Sequence, residues 1–152
     1  MWGFERIALC NNTAIGVTNI MDSLTLYRCN TCGNLIQMIQ DSGIIPICCG
    51  EQMELVRANS KEATMEKHVP VIEQNGRRIR IRIGSLPHPM TEEHHIEWIV
   101  LLTNKAMYMR ELKISDYPEC TFTIGEDEKV FAAYSYCNLH GLWNRIVEGC
   151  LP

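Results

Sequence analysis

The chain has no apolar run near the roughly eighteen residues a membrane-spanning helix requires. It also lacks a basic excess. Its 152 residues carry 14 Lys and Arg against 18 Asp and Glu, a net charge of −4, which argues against a general nucleic-acid binder that must displace phosphate counterions. Long helical periodicity, internal repeats and low-complexity segments are absent. The opening residues do not read as a secretory signal: Glu5 sits in the would-be basic region and Asn11-Asn12 breaks the apolar stretch. Ile7-Ala8-Leu9-Cys10 lacks the small residue that a lipoprotein cleavage site needs before its cysteine. The expectation is a cytoplasmic chain with no membrane and no nucleic acid among its partners. What is not scarce is apolar side chain, 46% of the total, enough for a true core.

Eight cysteines stand out in such a chain. A reducing compartment disfavours disulfides, so clustered cysteines there bind metal or do redox chemistry. Cys29, Cys32, Cys48, Cys49 and Cys137 fall in groups, whereas Cys10, Cys120 and Cys150 stand alone and read as plain thiols. Residues 1–23 read as an N-terminal extension. Residues 24–58 carry only short apolar pieces, Leu24–Tyr27, Leu35–Ile39 and Met53–Val56. So small a module needs a staple, and a metal is the obvious one. Polar residues 59–65 make a linker to a second domain over 66–152.

In the module, Cys29-Asn-Thr-Cys32-Gly is a chelate knuckle, and fifteen residues later Cys48-Cys49-Gly50 supplies a second pair. Four thiolates fit a tetrahedral zinc or a single iron. Adjacent cysteines cannot form a relaxed knuckle, so a distorted tetrahedron is expected.

In the second domain the pattern is β. Arg78-Ile-Arg-Ile-Arg-Ile83 alternates with a period of two, which puts isoleucines on one face and arginines on the other. Asn75-Gly76 just before it is a hairpin turn. His95–Leu102, Met107–Leu112, Cys120–Ile124 and Lys129–Tyr136 read as further strands, together an antiparallel sandwich or barrel. The arginine face reads as a solvated strand face or, alternatively, a docking face for an acidic electron donor. All five histidines fall in this domain. His88 lies between two prolines, His94 follows six residues later, and Cys137-Asn-Leu-His140 is a second short chelate. Four nitrogens and one sulfur exceed zinc's usual coordination and suit iron. Spacing alone leaves that grouping undecided.

These motifs carry a resemblance. Tyr27-Arg-Cys-Asn-Thr-Cys-Gly-Asn with Cys48-Cys49-Gly50 resembles the desulforedoxin-like module of the desulfoferrodoxin family. Glu66-Lys-His-Val-Pro-Val-Ile, Gly84-Ser-Leu-Pro-His-Pro-Met, Glu97-Trp98-Ile99 and Tyr136-Cys-Asn-Leu-His-Gly-Leu-Trp143 resemble its superoxide reductase domain. The resemblance implies a mainly β protein, a small metal module followed by an immunoglobulin-like antiparallel β-sandwich. It implies two irons per chain. Cys29, Cys32, Cys48 and Cys49 would hold an accessory electron-transfer iron. His68, His88, His94 and His140 would hold the catalytic one, with Cys137 as axial thiolate and the position opposite open to superoxide. Lys67 would attract the anion and orient water for protonation, and Glu66 would occupy the open position after oxidation. The reaction would be one-electron reduction of superoxide to hydrogen peroxide. Implied partners are a rubredoxin-type electron donor and a second copy in a homodimer.

His95 follows His94 where the family usually has an aromatic residue. The six-residue spacing from His88 assigns His94 as ligand and leaves His95 as a strand side chain on the opposite face. Two rival readings make different predictions. A non-catalytic electron carrier would not consume superoxide, and a zinc-stabilised interaction module would be colourless.

Overall fold

The computed structural model describes residues 24–59 and 65–147; Cys10, Cys150, the expected extension over 1–23 and most of the expected linker lie outside these residues. The first part holds β1 (Leu26–Arg28), β2 (Leu35–Gln37), β3 (Ile47–Cys48), β4 (Glu51–Gln52) and β5 (Glu54–Leu55). The second opens with the short helix α1 (Met65–His68) and continues through β6 (Pro70–Asn75), β7 (Arg78–Ile83), β8 (Ile96–Thr103), β9 (Met107–Glu111), β10 (Glu119–Thr123), β11 (Val130–Cys137) and β12 (Gly141–Ile146). The architecture is mainly β, as expected. No helix among the described residues is long and apolar enough to cross a membrane.

The alternation of β7 sets the sandwich. Ile79, Ile81 and Ile83 are buried while Arg78 and Arg80 face solvent, as strand periodicity demands. β6 and β7 form a hairpin closed at Asn75↔Arg78, and β10 pairs on the other side of β7. The facing sheet runs β12-β11-β8-β9, antiparallel throughout. Between the sheets, the three isoleucines pack with Ile96, Ile99, Leu101, Ala133 and Cys137.

The outer face of that second sheet is also buried. Trp98, Val100 and Leu102 of β8 and Tyr134 and Tyr136 of β11 pack with Leu24, Leu26, Leu35 and Val56 of the cysteine module. The module therefore forms a third layer. Arg28 donates from Nη1 to the Tyr136 hydroxyl at 2.9 Å, and Asn59 and Asn144 exchange hydrogen bonds of 2.8 and 3.0 Å.

In the second part three elements were not anticipated: β6, which opens on a proline; β12, which begins directly after the Cys137-x-x-His140 motif; and α1, too short for any period to register. The arginine face is a network of ion pairs. Arg82 reaches Glu73 at 2.7 Å and Arg80 reaches Glu119 at 2.7 Å, both across the sheet, so two of its three arginines are paired within the strand face.

Candidate metal centres

The first centre lies where β1 ends and the β3–β4 hairpin turns. The four ligand sulfurs of Cys29, Cys32, Cys48 and Cys49 all lie within 4.8 Å of one another. An ion held by four sulfurs at about 2.3 Å has tetrahedral edges of about 3.8 Å. The Cys32–Cys48 and Cys48–Cys49 separations, 3.6 and 4.0 Å, bracket that value. Adjacent cysteines reach one centre because Cys49 adopts a left-handed backbone, φ 53°, which swings its side chain to the same side as that of Cys48. The knuckle is completed by the Cys32 N–H, 3.5 Å from the Cys29 sulfur. That backbone donor is the main reason the Cys29 thiol is lowered to about 6. Hydrogen bonding with Cys32, Cys29 and Cys48 raises Cys49 to about 12. Four thiols this close ionise together only with a cation among them, so the cluster is suited to hold a metal ion.

The second centre sits at one end of the sandwich. His68 closes α1, His88 and His94 lie on the β7–β8 connection, Cys137 ends β11, and His140 is in the β11–β12 turn. The donor atoms of His68, His88, His94 and Cys137 all lie within 4.8 Å of one another. His140 joins them, its Nδ1 at 2.9 Å from His68 Nε2 and 3.7 Å from the Cys137 sulfur. Neighbouring nitrogens around an ion at about 2.1 Å stand about 3.0 Å apart, and opposite ones about 4.2 Å. The donor set fits a metal on a second count. His88 Nδ1 donates to the Pro89 carbonyl at 2.6 Å, which leaves a lone pair on Nε2 in the neutral ring. That Nε2 and the Nε2 of His94 are buried with no hydrogen-bond partner. Burial, chiefly, lowers His88 to about 4, with His68, His94 and His140 adding repulsion. Burial likewise lowers His94, with His140 and His68 next. Both rings are thus neutral at pH 7, the form that binds metal.

Packing fixes the rings further. Trp143 stacks on His68 with centroids 4.8 Å apart, and the buried Ser135 hydroxyl donates to the His68 carbonyl at 3.1 Å. His95 stays outside the cluster: its Nδ1 donates to the Thr91 carbonyl at 2.9 Å. Glu66 and Lys67 are exposed on α1, and the charge of Lys67 is felt at His94. Cys120 is half-buried and stands apart from both centres. Ser135, Thr91 and Asn138, which support the ligands, had not been singled out, because spacing motifs report ligand types and not what braces them.

The family model described as "Desulfoferrodoxin" matches residues 60–146, and that described as "Desulfoferrodoxin, N-terminal domain" matches residues 21–56. The chain belongs to the desulfoferrodoxin family. Among its curated relatives, the desulfoferrodoxin of Nitratidesulfovibrio vulgaris is 42% identical over 118 residues, covering 78% of this chain and 92% of the relative. A desulfoferrodoxin homolog from Methanothermobacter thermautotrophicus is 41% identical over 118 residues, covering 78% of this chain and 94% of the relative. Among solved structures, the crystal structure of the superoxide reductase from Treponema pallidum aligns with TM-score 0.68 and 34% identity, over 81% of this chain and 97% of the other. Both halves of the desulfoferrodoxin pattern thus coincide with the two donor clusters, cysteines in the N-terminal match and histidines with Cys137 in the other.

Proposed function

We propose that this desulfoferrodoxin-family protein is a superoxide reductase: superoxide, one electron and two protons give hydrogen peroxide. The observation that carries the reading is the cluster of histidines gathered around the Cys137 thiol, with the buried Nε2 atoms of His88 and His94 left without hydrogen-bond partners. Iron bound there would supply the electron, with donor strength raised by the thiolate ligand. His68, His88, His94, His140 and Cys137 would hold it, and Cys29, Cys32, Cys48 and Cys49 would hold the second, accessory iron. The cysteine module is taken as residues 24–58, and the catalytic domain as 66–152.

The chain's own side chains perform the rest. Lys67 is assigned to draw in the anion and to orient the water that delivers protons; its exposure beside His68 supports this, as does its charge reaching His94. Glu66, its neighbour on α1, is assigned as the carboxylate that closes the site after turnover. The donor is read as a small rubredoxin-type protein, for which exposed Met65, Leu86 and Leu139 around the site offer apolar contact. Exposed Ile39, Ile44 and Ile47 on the module suit a second copy, giving a homodimer. Reduced thiol clusters suit the cytoplasm.

Iron and zinc per chain, measured by elemental analysis, followed by superoxide consumption in stopped flow, test the reading. Two irons and consumption without oxygen release are expected. Zinc alone after growth with iron supplied, or a reduced iron protein indifferent to superoxide, would favour the interaction module or the electron carrier. Lys67→Ala should slow the reaction about tenfold and flatten its salt dependence while both irons stay bound. An unchanged rate would remove Lys67 from this role.

A further inference from the structure

We propose that Asn138 is a positioning residue that locks the loop carrying His94 to the strand end carrying Cys137. The inference rests on the reading of that cluster as an iron site.

Asn138 follows Cys137 directly, and its side chain uses both of its ends. Nδ2 donates to the Glu93 carbonyl at 3.0 Å, and Oδ1 accepts from the His95 N–H at 2.9 Å. The two partners flank His94 in sequence, so one amide group grips the backbone on either side of that ligand. The Asn138 N–H adds a third bond, to the His95 carbonyl at 3.1 Å. The grip falls where the sheet lets go. The register of β11 against β8 shifts between Tyr136 and Cys137 and ends at Cys137↔Ile96; such an irregularity re-aims a side chain and interrupts the ladder. From there onward the Asn138 amide supplies the bonds that ladder pairing no longer provides. The loop is itself closed: Thr91 Oγ1 accepts the His94 N–H at 3.2 Å, and the Thr91 N–H donates to the His94 carbonyl at 3.0 Å. Those bonds hold the loop closed around His94, and Asn138 ties it to Cys137.

The chemistry demands asparagine. The terminal group must present one donor and one acceptor. Leucine offers neither, and aspartate would set a carboxylate oxygen against the Glu93 carbonyl. Loosening the tie changes the angle between the Cys137 thiolate and the His94 nitrogen, hence the thiolate–iron overlap, without removing a ligand.

The test compares Asn138→Leu and Asn138→Asp in the iron-loaded full chain by visible absorption, midpoint potential and iron per chain. The cysteine-module iron serves as an internal control. The expected result is an unaltered module spectrum, a displaced and weakened thiolate–iron band at the second centre, and a shifted potential there in both variants. Selective loss of the second iron from Asn138→Leu, with the Asn138→Asp band still displaced, also supports the role. Band and potential identical to the parent in Asn138→Asp would overturn it, whether or not Asn138→Leu folds. A parent protein without any thiolate–iron band would instead overturn the iron reading itself.

Discussion

Gly84 has a left-handed backbone, φ 81°, and its α-carbon is pressed against α1: an added Cβ would stand 2.6 Å from the Glu66 carbonyl oxygen and 2.7 Å from the Lys67 Cα. The approach lets Gly84 N–H bond the Val69 carbonyl at 3.1 Å, and Leu86 N–H bond the Glu66 carbonyl at 3.1 Å. Gly84→Ala should therefore cost about 2–4 kcal/mol in urea unfolding, through backbone strain and displacement of α1. A cost near zero would mean that α1 can shift freely. His88 yields a pH prediction for the iron-free protein. The folded ring titrates near 4 instead of its ordinary 6.5, so between these values the unfolded chain binds the extra proton and the folded one does not. Stability is thus full above about pH 6.5 and falls as pH drops towards 4, because the unfolded state is the better proton acceptor in that window. Calorimetry should show the melting temperature flat above pH 7 and declining below 6.5, with a shallower decline in His88→Gln. At this scale the sequence was legible wherever spacing fixes chemistry: six residues from His88 picks His94 over His95, and the structure turns His95 to Thr91. It was silent on Asn138 and Ser135, since nothing in a spacing motif says which neighbour will meet a distant backbone.

Among the elements, β7 was the most legible because one of its faces is buried and the other solvated, so its alternation is written in the residue types. The two faces should respond differently to truncation. Ile81→Ala removes a fully buried side chain from between the sheets, and about 2–5 kcal/mol should be lost. Arg80→Ala removes ion pairs that are about half exposed, and the loss should stay below about 1 kcal/mol. Equal costs in denaturant titration would contradict the assignment of the faces. β8 holds information that alternation cannot show. Trp98-Ile-Val-Leu-Leu102 is apolar without a break because both of its faces are covered, one by the opposing sheet and the other by the cysteine module. That continuous run was the available signal for a third layer. β12 went unrecognised for a different reason: its Gly141-Leu-Trp start abuts the Cys137-x-x-His140 motif, and the chemistry masked the strand.

For the whole molecule, the third layer makes each part depend on the other. The module's own core is only Tyr27, Cys29 and Met53 with Ile36, Met38 and Cys48 beside them, too little to hold a fold without a staple. Cys32→Ser tests that dependence, because Cys32 is exposed and its replacement removes a ligand without touching the packed core. The variant should lose the module's metal ion, since a hydroxyl is a poor substitute for a thiolate at a four-sulfur site. The module should then loosen and uncover Trp98, Val100, Leu102, Tyr134 and Tyr136 on the outer face of the sheet. Three readings should follow: a lower melting temperature, a rise in binding of a hydrophobic dye, and concentration-dependent association. The second centre should keep its iron. Cys137 points to the inner face, among the residues between the two sheets, while Tyr136 beside it points to the outer one, so the ligands hang on the layer that survives. Loss of the module's metal with no change in melting temperature or dye binding would sink this account, and would mean that the Arg28–Tyr136 hydrogen bond and the shared apolar cluster of Leu24 and Leu26 with the sheet hold the layer in place unaided.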